Sequence, residues 1–360
     1  MKIKPMTKFA ILALSLVLVA CAGGGSEEAG CPAIDGREIN IVATTPMIGE
    51  FVSQVGGENI NLTVLMPPEA NPHTYEPAPQ DAGTIAEADL VFYTGLLYEP
   101  AALVKLLENS ACSTDILSEV GESVFPIEFK EGGHDDHDDH DDHDDHDDHD
   151  DHDDEEGHDD EEGHDDEEGH DDEEGHDDHE GHNHGAYDPH FWFDPSRVAY
   201  AAEYIESRLI EFDPENESSY KSSADSFVSE LNDLTKQVSE LISTVPSQNR
   251  KLITTHESLG YLEAKFGLEV LSTIIPSLNS ANEISPSDLA GVIDVIEDNN
   301  VKVIFIESEA PSVYSETIVA ETGIKSVTGL YVETLKPGQS YSEFLISNVT
   351  LITENLQDTD

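Results

Sequence analysis

The chain has 360 residues, enough for two domains of ordinary size, with 37% hydrophobic residues and a formal net charge of −62. A surface this acidic repels nucleic-acid backbones and anionic lipid headgroups, which excludes both as expected ligands; cations are the natural partners. Residues 134–184 hold 31 Asp or Glu and no Lys or Arg, so half of the charge sits in one tract and −31 remains on the rest.

The N-terminus reads MKIKPMTKFAILALSLVLVAC. Lys2, Lys4 and Lys8 precede an apolar run from Phe9 to Ala20, which has the length of a signal-peptide core and is too short to span a bilayer. The run ends in Leu18-Val19-Ala20-Cys21, which resembles a bacterial lipobox, with Cys21 the lipidated first residue of the mature protein. Ala22 to Gly30 then reads as a flexible tether. The expected location is the bacterial cell envelope, outside the cytoplasmic membrane and held by the lipid. Cys31 and Cys112 are left over; in an oxidising compartment they suggest one disulfide, with two free thiols as the alternative, because spacing does not reveal proximity.

Short β-branched runs then alternate with helical patterns. INIVATT (39–45) predicts a strand, PMIGEFVSQVGG a helix closed by glycine, LTVLMPP a second strand, DAGTIAEAD a helix and LVFYTG a third strand. This rhythm implies a parallel sheet covered by helices. It stops at the tract, which repeats HDD seven times and then variants of HDDEEG. A period of three does not match a helix, like charges recur at helical spacings, and nothing apolar is available to bury, so the tract is expected to be disordered when metal-free. Order resumes at AYDPHFWFDP, where Asp194 and Pro195 form a helix start. From Tyr220 to Thr244, Phe227, Leu231, Leu234, Val238 and Leu241 fall at three- and four-residue spacings with no interior Gly or Pro, predicting one helix of more than twenty residues. A second α/β series follows: strands KLITTHE, EVLSTII, VKVIFIES and KSVTGLYV, with helices at SPSDLAGVIDVIEDNN and YSETIVAETG and a last helix at YSEFLISNVTLITENL.

The fold class expected is therefore α/β: two lobes with central, mostly parallel sheets, joined by one long helix. The expected divisions are 1–20 signal peptide, 21–36 lipidated terminus and tether, 37–212 N-terminal lobe with an insertion at 132–185, 213–248 linking helix, and 249–360 C-terminal lobe.

Of 17 histidines, 14 lie in the tract: His134, His137, His140, His143, His146, His149, His152, His158, His164, His170, His176, His179, His182 and His184. The other three, His73 in NPHTYEP, His190 in DPHFWFDP and His256 in TTHES, each fall at a strand end or in a loop just beyond one, or ahead of a helix. Open α/β sheets bind ligands past the carboxyl ends of their strands, so these three can converge in a cleft between lobes. Three imidazoles suit Zn(II), which wants a fourth ligand. Glu307, Glu309 and Glu333 are the candidates; Glu333, just past an apolar strand, matches the placement of the histidines, and the alternative for it is a solvated loop carboxylate.

The stretches INIVATTPMIGEFVSQVGG, NPHTYEPAPQDAGTIAEADLVFYTG, DPHFWFDP, THESLGYL and AETGIKSVTGLYVETL resemble the zinc/manganese family of ABC-transporter solute-binding lipoproteins, in order from about Ile39 to the C-terminus. The resemblance implies a metal held between two lobes on a rigid connecting helix, with His73 and His190 from the first lobe and His256 from the second. Glu333 takes a place where that family commonly has aspartate, and Asn71 another. It implies an ABC-transporter permease as partner and a monomeric carrier. Histidine at 256, where manganese-binding members often have glutamate, points to zinc over manganese, and a His/acid-rich insertion before the second histidine motif is also a habit of the zinc branch. The tract then reads as an accessory, low-affinity metal collector, against the plainer alternative of a tolerated hydrophilic insertion. Other readings are an extracellular zinc hydrolase with Glu257 as base, a surface metal buffer or adhesin, and a manganese or iron carrier of the same family. The chain has no HExxH motif for the first of these.

Overall fold

The computed structural model describes residues 31, 34, 36–68, 70–129, 187–275, 286–308 and 313–357. Cys21, the leader and tether, Glu309 and all fourteen tract histidines lie outside them. The first lobe is built from β1 (Ile39–Ala43), α1 (Pro46–Gly56), β2 (Ile60–Val64), α2 (Pro79–Ala86), β3 (Leu90–Tyr93), α3 (Ala101–Ser110) and β4 (Leu117–Glu119). After α4 (Pro195–Phe212) and α5 (Glu217–Ser243), the second lobe has β5 (Lys251–Thr254), α6 (Gly260–Phe266), β6 (Glu269–Thr273), α7 (Pro286–Asn299), β7 (Val303–Glu307), α8 (Val313–Thr322), β8 (Lys325–Leu330) and α9 (Tyr341–Gln357).

Each lobe holds one four-stranded parallel sheet, in the order β2-β1-β3-β4 and β6-β5-β7-β8. The expected two-lobed α/β architecture is thus observed. The order reverses at β1/β3 and at β5/β7, which opens a crevice at the carboxyl edge of each sheet. Sequence reading missed α3, β4 and α6, which are short and weakly patterned. It also set the second strand too late. Leu65 and Met66 still donate to Ala43 O and Thr44 O, but Pro67 and Pro68 have no N–H and the ladder ends.

Helix α1 starts where Thr45 Oγ1 accepts from Ile48 N and stops at Gly57, whose φ of +57° suits glycine. Asp194 caps α4 by accepting from Ser196 N at 2.9 Å. The 27-residue α5, about 40 Å long at 1.5 Å per residue, lays Phe227, Leu231, Leu234, Val238 and Ile242 against α1, α4 and α9. One apolar cluster runs from Ile39 and Phe51 of the first lobe through these residues to Leu252, Phe305 and Phe344 of the second. The lobes therefore share a core, and α5 is its spine. Cys31 and Cys112 form a disulfide with Cα atoms 5.1 Å apart, which decides the alternative left by sequence. Glu128 and Tyr187 pair as an antiparallel bridge, bringing together the two ends that flank 130–186. Among the described residues, no helix is long and apolar enough to cross a membrane.

Candidate metal centre

Four loops meet where the carboxyl edges of the two sheets face each other. The loop after β2 brings His73. Asn71 Oδ1 accepts from His73 N at 2.9 Å, starting a single turn of 3-10 helix over Pro72–Thr74. Asparagine performs this cap as well as aspartate does. In the loop before α4, Asp188 Oδ1 accepts from His190 N at 2.8 Å and from His190 Nδ1 at 2.7 Å. That bond fixes the ring with Nε2 outward, and the fully buried Phe191, Trp192 and Phe193 anchor the loop behind it.

His256 lies two residues beyond β5. Its N–H donates to Glu307 Oε1 at 3.2 Å and its Nδ1 bonds Glu307 Oε2, while Thr254 Oγ1 donates to its carbonyl. Glu307 is held in turn by Ser258 Oγ, and its own N–H donates to Thr255 Oγ1. Glu307 was a candidate fourth ligand on sequence; in the structure it orients His256 from behind.

Glu333, three residues past β8, fills the centre. Its Oε1 is 3.1 Å from His73 Nε2, 2.9 Å from His256 Nε2 and 3.4 Å from His190 Nε2. His190 Nε2 and His256 Nε2 are 3.4 Å apart. Ligand-type atoms of His73, His190, His256 and Glu333 all lie within 4.8 Å of one another, the one such group among the described residues. Glu333 is 1% exposed, which rules out a solvated loop carboxylate. The first lobe holds it: Tyr98 Oη donates to Glu333 Oε2 at 2.9 Å, and Trp192 Nε1 donates to Val332 O at 2.8 Å. Sequence reading missed Tyr98, Asp188 and Trp192 as supports. Asp188 and Trp192 stand inside the quoted DPHFWFDP motif, but Tyr98 carries no local signal.

The electrostatics follow from one buried carboxylate among three imidazoles. Burial alone would lower the pKa of His190, but the charges of Glu333 and Asp188 outweigh it and push it up to about 9. Burial likewise opposes protonation of His256, and Glu307 and Glu333 together raise it well above its ordinary value. Burial would raise Glu333, yet His73 and His190 hold it well below the usual carboxylate range. The site is a compact, buried cluster of negative potential that stabilises a cation, whether protons on the rings or a metal ion.

The family described as ZnuA, zinc-uptake complex component A periplasmic, matches residues 41–355. The manganese-binding lipoprotein MntA of Halalkalibacterium halodurans is 22% identical over 97% of each chain. The high-affinity zinc uptake system protein ZnuA of Bacillus subtilis is 26% identical over 97% of this chain and 96% of its own. Among solved structures, the periplasmic zinc-binding protein TroA of Treponema pallidum superposes with a TM-score of 0.67 at 19% identity, over 89% of this chain and 99% of that one, which establishes a shared fold. The chain belongs to the ZnuA family, metal-binding solute-binding proteins of ABC transporters rather than enzymes.

Proposed function

We propose that this protein captures Zn(II) outside the cytoplasmic membrane and delivers it to an ABC-transporter permease, with His73, His190, His256 and Glu333 as the ligands. The observation that carries this reading is the spacing of the donor atoms. Four atoms about 2.0–2.1 Å from a tetrahedral ion lie about 3.3 Å from each other. The three imidazole nitrogens stand 2.9–3.4 Å from Glu333 Oε1, and two of them 3.4 Å from each other. Three imidazoles and one carboxylate suit zinc, whereas manganese favours oxygen-rich octahedral sites. Glu307 behind His256 strengthens the same preference by making that ring a better donor.

The remaining parts of the reading rest on sequence: Cys21 as lipid anchor, a monomeric carrier, and the tract as a collector of weakly bound zinc beside the tight site. Manganese is the second reading, because relatives named for manganese match this chain as fully as those named for zinc. Titration calorimetry of the metal-free protein with Zn(II) and with Mn(II) separates the two. We expect one tight zinc site, weaker manganese, and loss of at least about a hundredfold in zinc affinity for each of His73→Ala, His190→Ala and His256→Ala. A histidine variant that binds zinc like the parent is not a ligand, and tighter manganese than zinc overturns the metal assignment.

A further inference from the structure

The four candidate ligands are buried, so an ion needs a way in. On one flank Tyr98 and Trp192 tie Glu333 and Val332 to the first lobe. On the other flank a cavity of about 660 Å³ opens at the seam between lobes. Its walls come from Ile127–Phe129 and Asp188 on one side and from the Glu257–Ala264 stretch, β6 and Val295 on the other. Four of its lining residues are acidic, namely Glu128, Glu257, Glu263 and Asp188, and none of the lining residues is basic. Their exposure is graded: Glu128 is exposed, Glu257 and Glu263 are half-buried, and Asp188 is buried.

The inner end has a second peculiarity. Asp188 is 1% exposed, and its Oδ1 is occupied with His190, but its Oδ2 has no hydrogen-bond partner. A carboxyl oxygen buried without a partner is costly, which calls for a ligand or water there. Gly260 leaves room beside that oxygen: a Cβ at this position would stand 2.6 Å from Asp188 Oδ2. Asp188 is two residues from His190 and Glu257 is next to His256, so the cavity is lined by chain neighbours of two candidate ligands, one from each lobe.

We propose that this cavity is a cation vestibule, in which Glu128, Glu257, Glu263 and Asp188 Oδ2 draw a hydrated divalent cation from solvent to the seam beside His190 and His256. Carboxylate oxygens in a walled cleft focus field and concentrate small cations without stripping their water. The inference rests on the metal-capture reading but concerns the route rather than the end point. A group on the route and not at the end point stabilises the passing ion, so removing it slows arrival and departure together and leaves the equilibrium unchanged.

Trp192, the single tryptophan, has its ring 5.5 Å from that of His190 and reports on filling of the buried site. Stopped-flow fluorescence of the full chain with zinc chloride at low ionic strength compares the parent with Glu257→Gln/Glu263→Gln and with Glu230→Gln/Glu240→Gln on the exposed face of α5. The vestibule pair should lower the association rate about three- to tenfold. Dissociation should slow in parallel, Kd should stay within about twofold, and the gap should close as salt is added. The α5 pair should match the parent. An unchanged association rate in the vestibule pair overturns the proposal, and so does a rise in dissociation alone, which would make these carboxylates supports of the bound ion. A parent chain with no tight zinc site would sink the zinc reading instead, and the same rates measured with manganese then decide the vestibule.

Discussion

The two sheets share one strand order, yet the first pairs without a register slip and the second slips twice, between Leu252 and Ile253 and between Ile306 and Glu307. Their outer layers differ as well. In the first lobe, Val42, Met66, Ile85, Val91, Leu103, Leu107 and Ile116 form a layer against which Cys31 and Cys112 pack as a disulfide. The matching layer of the second lobe, from Ile253 and Ile274 to Ile318 and Ile324, is aliphatic, and that half of the chain has no cysteine. The regular, stapled lobe supplies His73 and His190, each set by a short side-chain-to-backbone cap. The slipped lobe supplies His256 and Glu333, and a bulge re-aims a side chain where it occurs. At the second slip the extra residue is Gly329 (φ +95°) on β8, the strand that leads to Glu333, while Glu307 on the unbulged β7 bonds His256. His73 thus rests on a backbone cap alone, His190 and His256 are each aimed by a buried carboxylate, Asp188 in one lobe and Glu307 in the other, and Glu333 is held by Tyr98 across the seam.

Breaking the staple tests the first half of that contrast and should give the largest effect. Closing a loop across 81 positions restricts the unfolded chain. Cys112→Ser should therefore cost about 3 to 5 kcal/mol of stability in urea unfolding. Hydrogen exchange should rise in α3 and β4 and not in α7 or α8, while zinc affinity stays near that of the parent. A loss of protection shared equally by both lobes would mean that the common core, not the disulfide, sets the outer layer's order.

Glu307→Gln tests the second half. The amide keeps the size but cannot bear the charge that orients and polarises His256, so zinc affinity should fall about 10- to 100-fold. The fold should survive, as read by circular dichroism. Affinity unchanged by this variant would mean that Glu307 does not aim or polarise His256 for the metal.

Acidity probes the site shared by the lobes. A metal needs the neutral ring, and His190 titrates at about 9 in the metal-free protein. At pH 7 zinc must therefore displace at least one proton. Affinity should rise at least about tenfold per pH unit from pH 7 towards pH 9, and more steeply where His256 gives up a proton as well. The sign is opposite for the metal-free fold. A raised histidine pKa contributes stability that is complete below the unfolded value of about 6.5 and is lost as pH rises through about 9. Calorimetry in buffers of different ionisation enthalpy counts the protons, and no release at pH 7 would contradict this charge state.

The smallest effect is expected where one lobe reaches over to the other. Tyr98→Phe removes the hydroxyl that holds Glu333 Oε2, a bond worth about 1 kcal/mol, and should weaken zinc about fivefold. A far larger loss would show that the first lobe, through Tyr98, sets the position of Glu333.

The sequence by itself determined the parts that depend on local chemistry. Alternation of β-branched runs with amphipathic stretches specified parallel sheets under helices, because burial on both faces of a strand needs such runs. Unbroken apolar spacing from Phe227 to Leu241 specified α5. Three histidines outside a repetitive tract, each near a strand end or a helix start, marked the candidate site, since strand ends are where an open sheet leaves room for a ligand. Only the tertiary structure decided what depends on contacts between distant residues. Spacing could not say that Cys31 and Cys112 lie 5.1 Å apart. Nor could it say which of Glu307 and Glu333 faces the centre, because both follow an apolar strand and look alike locally. The choice comes from packing: Glu307 at the end of β7 bonds His256 from behind, whereas Glu333 lies among the three histidines with its other oxygen on Tyr98, 235 residues away in the chain. The vestibule is likewise invisible in sequence, since it exists only where Asp188, Gly260 and the edge strand β6 are brought side by side.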